Sequence, residues 1–340
     1  MSPRIGGLDR HDVTETAELA RGGSALPHQS VLLAEVLDAL QPHPGGYLAL
    51  DCTIDGGGHS FGLLERSAPD GQLVGLDADT AALALAADRL APFAGRFRLV
   101  NRNFRELANV AAELGLASVD GIIFDLGLSS LQLERFGRGF SFRGDEPLDM
   151  RFDPASNSPT AAELLNNLPE DELGRIFRTY GEEPRARKLA SVIVHRRQRA
   201  PLRRTGDLVD AVTQALGPQR GRIHLATRAF QALRIAVNDE LAALEEGLTA
   251  AIRLLHPGGR LAVISFHSLE DRIVKWRFRE WSEPTTSRPA LVHTLTRKPI
   301  VPSLEEISAN PRARSAKLRV AERLPTTVHT PVETLPRQYP

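Results

Sequence analysis

The sequence contains very little cysteine, no long hydrophobic run and no excess of charge of either sign. A single cysteine, Cys52, excludes an internal disulfide, and its place at the end of an apolar run favours a buried thiol without a catalytic role. No apolar stretch approaches the roughly 18 residues that a membrane-spanning helix needs. The first 25 residues also lack the apolar segment of a secretory signal. We therefore expect a cytoplasmic protein without membrane contact.

Basic and acidic residues number 42 each, so the net charge of zero gives no indication of a polyanionic partner. The distribution of charge is more informative. Arg185–Arg204 holds eight Lys or Arg residues and no acidic residue, and Arg312–Arg323 is again strongly basic. Such segments can contact the phosphates of RNA even on a neutral protein. A solvated, charged helix face is the alternative interpretation.

Short apolar runs alternate with helical patterns in the first 125 residues and again after residue 240. This alternation predicts an α/β domain, in which helices cover a parallel sheet. The predicted strands are 47–51, 72–77, 97–100, 120–125 and 261–265, with a last strand around 316–320. The clearest predicted helices are 31–40, with Ser30 as its N-cap, 80–90 and 240–255.

The segment between these two blocks has a different pattern. From Ser129 to Ala226 helical stretches and loops rich in Gly, Pro and Arg predominate, without a convincing strand. Thr160 and Glu163 have the spacing of a capping box at a helix start. We predict a discontinuous α/β domain at 26–130 and 225–325, an inserted helical domain at 131–224, a disordered tail at 1–25 and a second tail at 326–340.

Three consecutive glycines follow the first predicted strand, within the run from Asp51 to His59. Glycines allow the backbone to turn tightly and to approach a ligand closely. Asp77 ends the second predicted strand, where a carboxylate can accept hydrogen bonds from both ribose hydroxyls of an adenosine. NAD and S-adenosylmethionine both carry that group. Phe61 stands where the dinucleotide fingerprint needs a small residue, which disfavours an NAD-dependent oxidoreductase.

Seven longer motifs, in chain order, go beyond this general pattern. They are HQSVLL at 28–33, DGIIFDLGLSS at 120–130, RGFSF at 138–142, PLDMRFD at 147–153, TRAFQALRIAVNDEL at 227–241, GGRLAVISFHSLEDRIVK at 258–275 and NPRARSAKLRVAER at 310–323. Together they closely resemble the RsmH (MraW) family of bacterial methyltransferases. The resemblance implies a class I methyltransferase fold, a Rossmann-like and mostly parallel sheet with an inserted helical domain. It also implies S-adenosylmethionine as cofactor and N4-methylation of a cytidine in the decoding centre of 16S rRNA, within the small ribosomal subunit.

The same resemblance implies cofactor-binding positions. The matching residues are Gly57, Gly58 and His59 near the methionine end, Asp77 at the ribose, Phe104 beside adenine, and Asp125 and Gln132 at the remaining contacts. Asp55 departs from the family, which has glycine there, although Asp tolerates a left-handed backbone better than most residues. We expect this added negative charge to affect cofactor affinity rather than reaction type. It is also the only support for a non-enzymatic alternative, a ribosome assembly factor with a vestigial pocket.

Asp125 is the candidate for the chemistry as well. The amino nitrogen of cytosine is a poor nucleophile, and a nearby acceptor could orient it and take its proton. Asp125 could play this part, or it could only bind the amino group of the cofactor, and the sequence leaves both open. His267, at the end of another predicted strand, could face the substrate or belong to a helix N-cap with Ser268 and Asp271. No histidine has further ligands at a metal-binding spacing, so we expect no metal.

Aromatic and basic residues of the predicted insertion are candidates for RNA contact. Phe140 and Phe142 could receive a base that is turned out of its stack, or they could pack the insertion against the sheet. Arg138 and Arg143 would then meet phosphates. The acid-free basic run adds three further candidates, Arg196, Arg197 and Arg199.

Overall fold

The computed structural model describes residues 30–128, 137–217, 224–286 and 288–325. Its strands are β1 (Leu48–Asp51), β2 (Gln72–Asp77), β3 (Phe97–Asn101), β4 (Val119–Asp125), β5 (Leu255–Ser265), β6 (Val292–Thr294) and β7 (Lys317–Arg323). They form one sheet in the order β3-β2-β1-β4-β5-β7-β6. The first five strands of that order are parallel, whereas β7 is antiparallel to both of its neighbours. This confirms the predicted class I methyltransferase sheet.

Alternate residues of each central strand enter apolar clusters on opposite faces of the sheet, as the two-residue period of a strand requires. Leu50 and Phe124 belong to one cluster, and Ala49 and Ile123 belong to the other. The helices around the sheet are α1 (Leu33–Leu40), α2 (Gly58–Arg66), α3 (Thr80–Leu90), α4 (Leu107–Leu114), α10 (Glu240–Leu254), α11 (Ser268–Ser282) and α12 (Leu304–Ala309). Both faces of the sheet are therefore covered, and ligand access is left to its edges.

The start of α1 differs from the prediction. Its N-cap is Leu32 in a left-handed conformation with φ of 53°, and the predicted cap Ser30 lies two residues earlier. The backbone N–H of Leu32 donates to Glu306 Oε1 at 2.8 Å, so a carboxylate from α12 takes the part expected of a local serine. The predicted Ser30 cap is therefore wrong, because the partner is 274 residues away in the sequence.

The other predicted strands and helices of this part, except β5, are close to their observed bounds. The helix at 80–90 is α3, and Asp79 caps it by accepting a hydrogen bond from the Ala81 N–H at 3.0 Å. The last strand, predicted around 316–320, is β7, and it pairs with β5 from Lys317 to Glu322. β5 begins at Leu255, six residues before the prediction, with a register shift against β4.

A separate helical layer lies between β4 and α10 in the sequence. Its helices are α5 (Ala161–Asn167), α6 (Glu170–Thr179), α7 (Ala186–Arg197), α8 (Thr205–Leu216) and α9 (Ala226–Asn238). The capping box of Thr160 and Glu163 at the start of α5 is confirmed, with both reciprocal hydrogen bonds present. Within 137–217, the part of this segment that the structure describes, there is no named strand.

The helical layer has its own apolar core, which runs from Phe140 to Val237 in the sequence and is distinct from the two clusters of the sheet. Leu173, Phe177 and Leu189 are fully buried in it. The core includes the buried face of α9, so packing favours a boundary after Asn238 rather than at 224. The predicted tails at 1–25 and 326–340 lie outside the described residues. No described helix combines the length and apolar composition of a membrane span.

Candidate active site

A cavity opens at the carboxyl edge of the parallel strands, where β1 and β4 are neighbours and the strand order reverses. The loop after β1, the ends of β2 and β4, and the loops before α4 and α11 contribute to it. Its wall consists of Val31, Cys52, Thr53, Asp55, Asp77, Ala78, Asn103, Phe104, Asp125, Leu126, Gly127, Leu128, Phe152, Glu240, Leu244, Phe266, Glu270, Asn310 and Arg312. Three of the residues predicted for the cofactor, Asp77, Phe104 and Asp125, therefore meet in one cavity.

Acidic side chains outnumber basic ones on this wall. Five carboxylates line the cavity, and Arg312 is the one Lys or Arg among its described lining residues. The carboxylates are Asp55, Asp77, Asp125, Glu240 and Glu270. Such a wall favours a cationic ligand over the pyrophosphate of a dinucleotide, because a positive charge promotes the ionisation of nearby carboxyl groups and a negative charge opposes it. The cavity thus adds an electrostatic argument against NAD to the one from Phe61.

The glycines of the first turn shape the backbone and do not line the described cavity. Gly57 has φ of 73° and is the N-cap of α2. A Cβ on Gly57 would lie 3.3 Å from Ala86 Cα, and one on Gly58 would lie 1.8 Å from Ser30 Oγ. Both residues are therefore glycine because α2 packs closely against α3 and the chain before α1. Their predicted contact with a cofactor stays a prediction.

Asp55 adopts the left-handed conformation expected of it, with φ of 45°. Its backbone N–H donates to Asp77 Oδ2 at 3.0 Å, and the Asp79 N–H donates to Asp77 Oδ1 at 2.9 Å. These two bonds fix the Asp77 carboxylate at the end of β2. Burial, and then the charge of Asp55, raise the pKa of Asp77 to about 7 against the two hydrogen bonds.

Phe104 is held by its neighbours at the cavity wall. Its ring meets Phe124 edge to face, with centroids 5.5 Å apart. A Cβ on Gly247 would lie 2.9 Å from Phe104 Cδ2, so the glycine in α10 makes room for the ring. Asn103 accepts a hydrogen bond from the Arg105 N–H at 3.0 Å and starts the short helical turn that carries Phe104. A fixed, half-buried aromatic face suits a stacked base.

Asp125 ends β4 and faces the cavity. Its backbone N–H donates to Thr53 Oγ1 at 2.6 Å, while its Oδ1 is buried and accepts no hydrogen bond from the described residues. His59 Nδ1 lies 3.5 Å from Asp125 Oδ2. Burial, and then the charges of Asp55 and Asp51, raise the pKa of Asp125 well above its ordinary range. Gln132, the other predicted contact of this region, lies outside the described residues.

Arg138 does not face solvent as its predicted phosphate contact requires. Its guanidinium pairs with Asp79 Oδ2 and donates to the backbone carbonyls of Arg151 and Phe152, at 3.3 and 3.0 Å. The side chain is 11% exposed. The prediction for Arg138 is therefore wrong in this structure, because the arginine joins the start of α3 to the helical layer. Arg143 is exposed, as a phosphate contact needs.

The phenylalanines of the RGFSF motif pack in the helical layer. Phe140 is 5% exposed, within the core of that layer, and stacks on Phe152 with centroids 5.8 Å apart. Phe142 is half-buried between His224, at 4.5 Å, and Phe230, at 5.5 Å. Of the two alternatives for Phe140, burial favours packing over base stacking, because a ring without free surface cannot receive a base.

The three arginines predicted from the basic run have different environments. Arg197 donates to the carbonyls of Leu165 and Leu168 at 2.8 and 2.7 Å, which stabilises the C-terminal end of α5. Arg196 is half-buried and donates to Gln214 Oε1 at 3.1 Å, and of the three only Arg199 is exposed. The RNA contact predicted for Arg197 stays a prediction, although its Nη1 group already donates to a helix end.

His267 is the N-cap of α11, where Ser268 was predicted. Its Nδ1 accepts the Glu270 N–H at 3.4 Å, and its Nε2 lies 3.1 Å from Glu270 Oε1. Ser268 Oγ instead donates to Glu182 at 2.5 Å. The predicted Ser268 cap is therefore wrong by one residue. The role of His267 as N-cap of α11 accounts for its position without a contact to the substrate. Only Glu270, its partner, lines the cavity.

Glu240, His267 and Glu270 lie close enough for ligand atoms of all three to reach one metal ion. Both oxygens of Glu240, however, accept from Arg234, at 2.7 and 2.8 Å. Burial by itself raises the pKa of Glu270, but His267 and Arg234 more than offset this and hold it below its ordinary range. We assign the cluster to charge compensation between α9, α10 and α11.

Sequence reasoning missed several residues of the cavity wall, among them Glu240, Phe266, Glu270 and Arg312. Each of them belongs to one of three long motifs, which span 227–241, 258–275 and 310–323. The motifs were thus a signal for these residues, but no local pattern indicates which side chains of a motif reach a common cavity.

Comparison with known proteins identifies a family and several relatives that this chain resembles along most of its length. Residues 25–324 match the MraW methylase family. The ribosomal RNA small subunit methyltransferase H of Symbiobacterium thermophilum is 49% identical over 312 residues, which cover 88% of this chain and 98% of that protein. Proteins of the same name from Heliobacterium modesticaldum and Geobacter sulfurreducens are both 52% identical and cover 87% of this chain, with 98% and 99% of their own lengths.

Proposed function

This chain belongs to the MraW methylase family and is an S-adenosylmethionine-dependent methyltransferase, and we propose that its target is the exocyclic N4 of a cytidine in the decoding centre of 16S rRNA. The relatives at 49–52% identity are named for rRNA of the small subunit, and the matches span nearly their whole lengths. We propose that the assembled small subunit, rather than naked RNA, is the substrate.

The observation that carries this proposal is the acid-lined cavity at the carboxyl edge of the sheet. Two hydrogen bonds fix the Asp77 carboxylate at the end of β2, which supports a role as acceptor for both ribose hydroxyls, and the held ring of Phe104 supports stacking on adenine. When bound, S-adenosylmethionine supplies a methyl carbon activated by a cationic sulfur. The negative wall suits that cation, so the residues present fit the group. Gly57, Gly58 and Gln132 remain proposed contacts from the family match, whereas His59 is buried and does not line the described cavity.

Asp125 is the proposed catalytic residue. Its Oδ1 faces the cavity with no hydrogen-bond donor among the described residues, so it can accept from an amino group there. Accepting one N–H of the cytosine amino group would orient the nitrogen and let Asp125 take its proton as the new bond forms. A group that only bound the amino group of the cofactor would have the same geometry, so the two roles are separated by measuring the methylation rate and cofactor affinity of an Asp125 variant.

The helical layer is the proposed RNA-recognition region. Exposed basic residues on and next to α7 give it a surface for phosphates, and Arg187, Lys188 and Arg199 are among them. Arg143 is exposed in the loop that joins this layer to the sheet. Phe142, half-buried beside His224, is the remaining candidate for stacking on a base. This layer carries the cation-rich surface that the cavity lacks.

The proposal is tested by methylating small ribosomal subunits that lack the modification. The enzyme is incubated with these particles and the methyl donor, and nucleosides from the digested rRNA are resolved by mass spectrometry. We expect N4-methylcytidine at one position, and a much lower yield on naked 16S rRNA. A methyl group at another atom or on another base would contradict the proposed target, and no methylation of the subunits would contradict the proposed substrate.

A further inference from the structure

His59 lies next to Asp125 but outside the described cavity wall, so it is behind the carboxylate as seen from the cavity. It is 5% exposed. Its Nε2 lies 3.0 Å from the Val31 carbonyl oxygen, and its Nδ1 lies 3.5 Å from Asp125 Oδ2. The imidazole therefore joins the chain before α1 to the carboxylate that faces the methyl donor. This position differs from the direct cofactor contact that the family match implies.

The two distances fix where the proton of a neutral His59 must be. A carbonyl oxygen only accepts hydrogen bonds, so Nε2 carries a hydrogen toward Val31. In the neutral ring Nδ1 then carries a lone pair, which lies 3.5 Å from Asp125 Oδ2. An ionised carboxylate facing a lone pair is unfavourable. The arrangement is stable only with one proton on either Nδ1 or Oδ2.

We propose that His59 and Asp125 hold one proton between them, and that His59 takes this proton when a cationic methyl donor lies in the cavity beside Asp125. His59 is then a positioning residue that keeps Asp125 ionised for the reaction. The inference rests on the proposed function, because it assigns a charge state to the same site. The inference concerns the proton between His59 and Asp125, whereas the proposed function concerns the target of methylation.

The groups around His59 and Asp125 favour one shared proton on the pair. The charged and titratable groups that face Asp125 from the elements around it are Asp51, Asp55, Glu240, Glu270, His59 and Arg312. Most of them are acids, so a lone ionised Asp125 is disfavoured without a nearby cation. The raised pKa of Asp125, from burial first and from Asp55 and Asp51 next, agrees with a proton held at the pair. A positive sulfur on the cavity side reverses this preference at Oδ2 and moves the proton to the far side, onto Nδ1.

The arrangement gives Asp125 the right charge at each stage. It is ionised while the donor carries its positive charge. As the bond from N4 to the methyl carbon forms, the carbon–sulfur bond breaks and its electron pair stays on sulfur. Asp125 accepts the proton that N4 loses, at the moment when the neighbouring positive charge disappears and its own basicity rises. Methylated cytosine, neutral S-adenosylhomocysteine and a protonated pair remain, so atoms and charge balance once His59 returns its proton to solvent.

The test compares S-adenosylmethionine with S-adenosylhomocysteine, which differ by the methyl group and the charge on sulfur. The variant is His59→Gln, whose side-chain amide can still donate to Val31 but cannot carry the proton. His256→Gln is the matched control, since His256 pairs with Asp120 at 2.7 Å at the opposite edge of the same sheet. Affinities for both ligands are measured by calorimetry from about pH 6 to about pH 8, in buffers of different ionisation enthalpy. Effects common to both ligands, such as titration of Asp77, cancel in the affinity ratio.

In the wild type and in His256→Gln we expect an affinity ratio that is independent of pH, because the pair keeps its proton. In His59→Gln, Asp125 must release its proton to solvent before it can face the cation. The preference for S-adenosylmethionine should then fall by about tenfold for each unit of pH decrease, with about one more proton released per molecule bound. Equal losses for both ligands at every pH would show a merely structural role and overturn the proposal. So would proton release by the wild type that is specific to the cation.

Nitrogen NMR of the imidazole in the wild-type chain provides a second measurement, which does not depend on how well the variant folds. We expect His59 Nδ1 to be unprotonated with S-adenosylhomocysteine and protonated with S-adenosylmethionine. The same protonation state with both ligands would overturn the inference while leaving the proposed function in place. Failure to bind either ligand would overturn both.

Discussion

The cavity at the sheet edge and the surface of the helical layer carry opposite charge. Five carboxylates and one guanidinium line the described part of the cavity, whereas the first helical turn of α7 and the segment after it expose Arg187, Lys188 and Arg199. The two regions also have separate apolar cores. A net charge of zero thus conceals two surfaces, one suited to a cationic methyl donor and the other to a polyanionic RNA.

Within the helical layer, a second contrast separates arginines that hold the fold from arginines that face solvent. Arg138 and Arg197 donate to backbone carbonyls, and Arg138 also pairs with Asp79. Arg199 is fully exposed a few residues further on. Position within a basic run therefore does not assign a role, because a guanidinium has five donors and readily serves a helix end. Substitutions in the cavity and on the surface of the helical layer test whether cofactor binding and RNA binding are separate.

The largest expected effect belongs to Asp125, in the acidic region. Asp125→Asn keeps the size of the side chain but removes the proton acceptor, so we expect kcat to fall by about 10²–10⁴-fold. Single-turnover methylation of small subunits measures the rate, and calorimetry with S-adenosylhomocysteine measures binding. RNA affinity should not change. An unchanged rate together with a large loss of cofactor affinity would assign Asp125 to the amino group of the cofactor.

Asp77→Ala should weaken cofactor binding by about 1–3 kcal/mol, the cost of losing charge-assisted hydrogen bonds to the ribose. The variant also leaves the N–H groups of Asp55 and Asp79 without their acceptor, so its unfolding free energy is measured alongside. Asp88→Ala, an exposed acid of α3, is the control. Equal cofactor affinity in Asp77→Ala and wild type would refute the ribose role.

The pKa of about 7 for Asp77, raised mainly by burial, makes cofactor binding sensitive to pH. The ionised form accepts from the ribose, so affinity for donor and product alike should fall below about pH 7, by up to about tenfold per unit. For folding the sign is opposite. The folded chain binds more protons than the unfolded chain between the ordinary pKa of 3.8 and about 7, so this group lowers stability as pH rises through that window. Asp77→Ala should lose both dependences, and a dependence that persisted in it would point to another group.

On the basic region, replacing Arg187, Lys188 and Arg199 together with Gln should flatten the salt dependence of RNA binding. The slope of log affinity against log salt should decrease by about 0.7–0.9 for each phosphate that the variant no longer neutralises. Cofactor affinity should not change, because these residues do not line the described cavity. Arg66→Gln with Arg253→Gln, exposed arginines of the sheet region, is the control. An unaltered slope would assign the α7 residues to a solvated helix face.

The smallest expected effect tests whether the two cores are independent. Thr160→Ala removes the capping box of α5 and should lower the stability of the helical layer by about 1 kcal/mol. Urea unfolding followed in the presence and absence of S-adenosylhomocysteine measures it. Cofactor affinity should be equal to that of the wild type. A matching loss of cofactor affinity would mean that the helical layer and the cavity are coupled more tightly than their separate cores suggest.

Periodic features of the chain were predictable. The strands β1 to β4, the helix α3 and the capping box of α5 lie within a residue or two of their predicted bounds, because each depends on neighbours in the sequence. Caps that involve a distant partner or an imidazole were not predictable. The Leu32 N–H donates to Glu306, which is 274 residues away. α11 starts one residue earlier than expected because the imidazole of His267 accepts the Glu270 N–H.

The sequence by itself determined the family, the alternation of strand and helix, and the presence of Asp77 and Asp125 at strand ends, since motifs and periodicity are local properties of the chain. Only the tertiary structure decided that Glu240, Glu270 and Arg312 share a wall with them, that His59 lies behind Asp125, and that Arg138 is an internal pairing residue. The reason is physical. Strand order and helix packing bring together side chains separated by up to hundreds of residues, and burial and charge at one point depend on all of them.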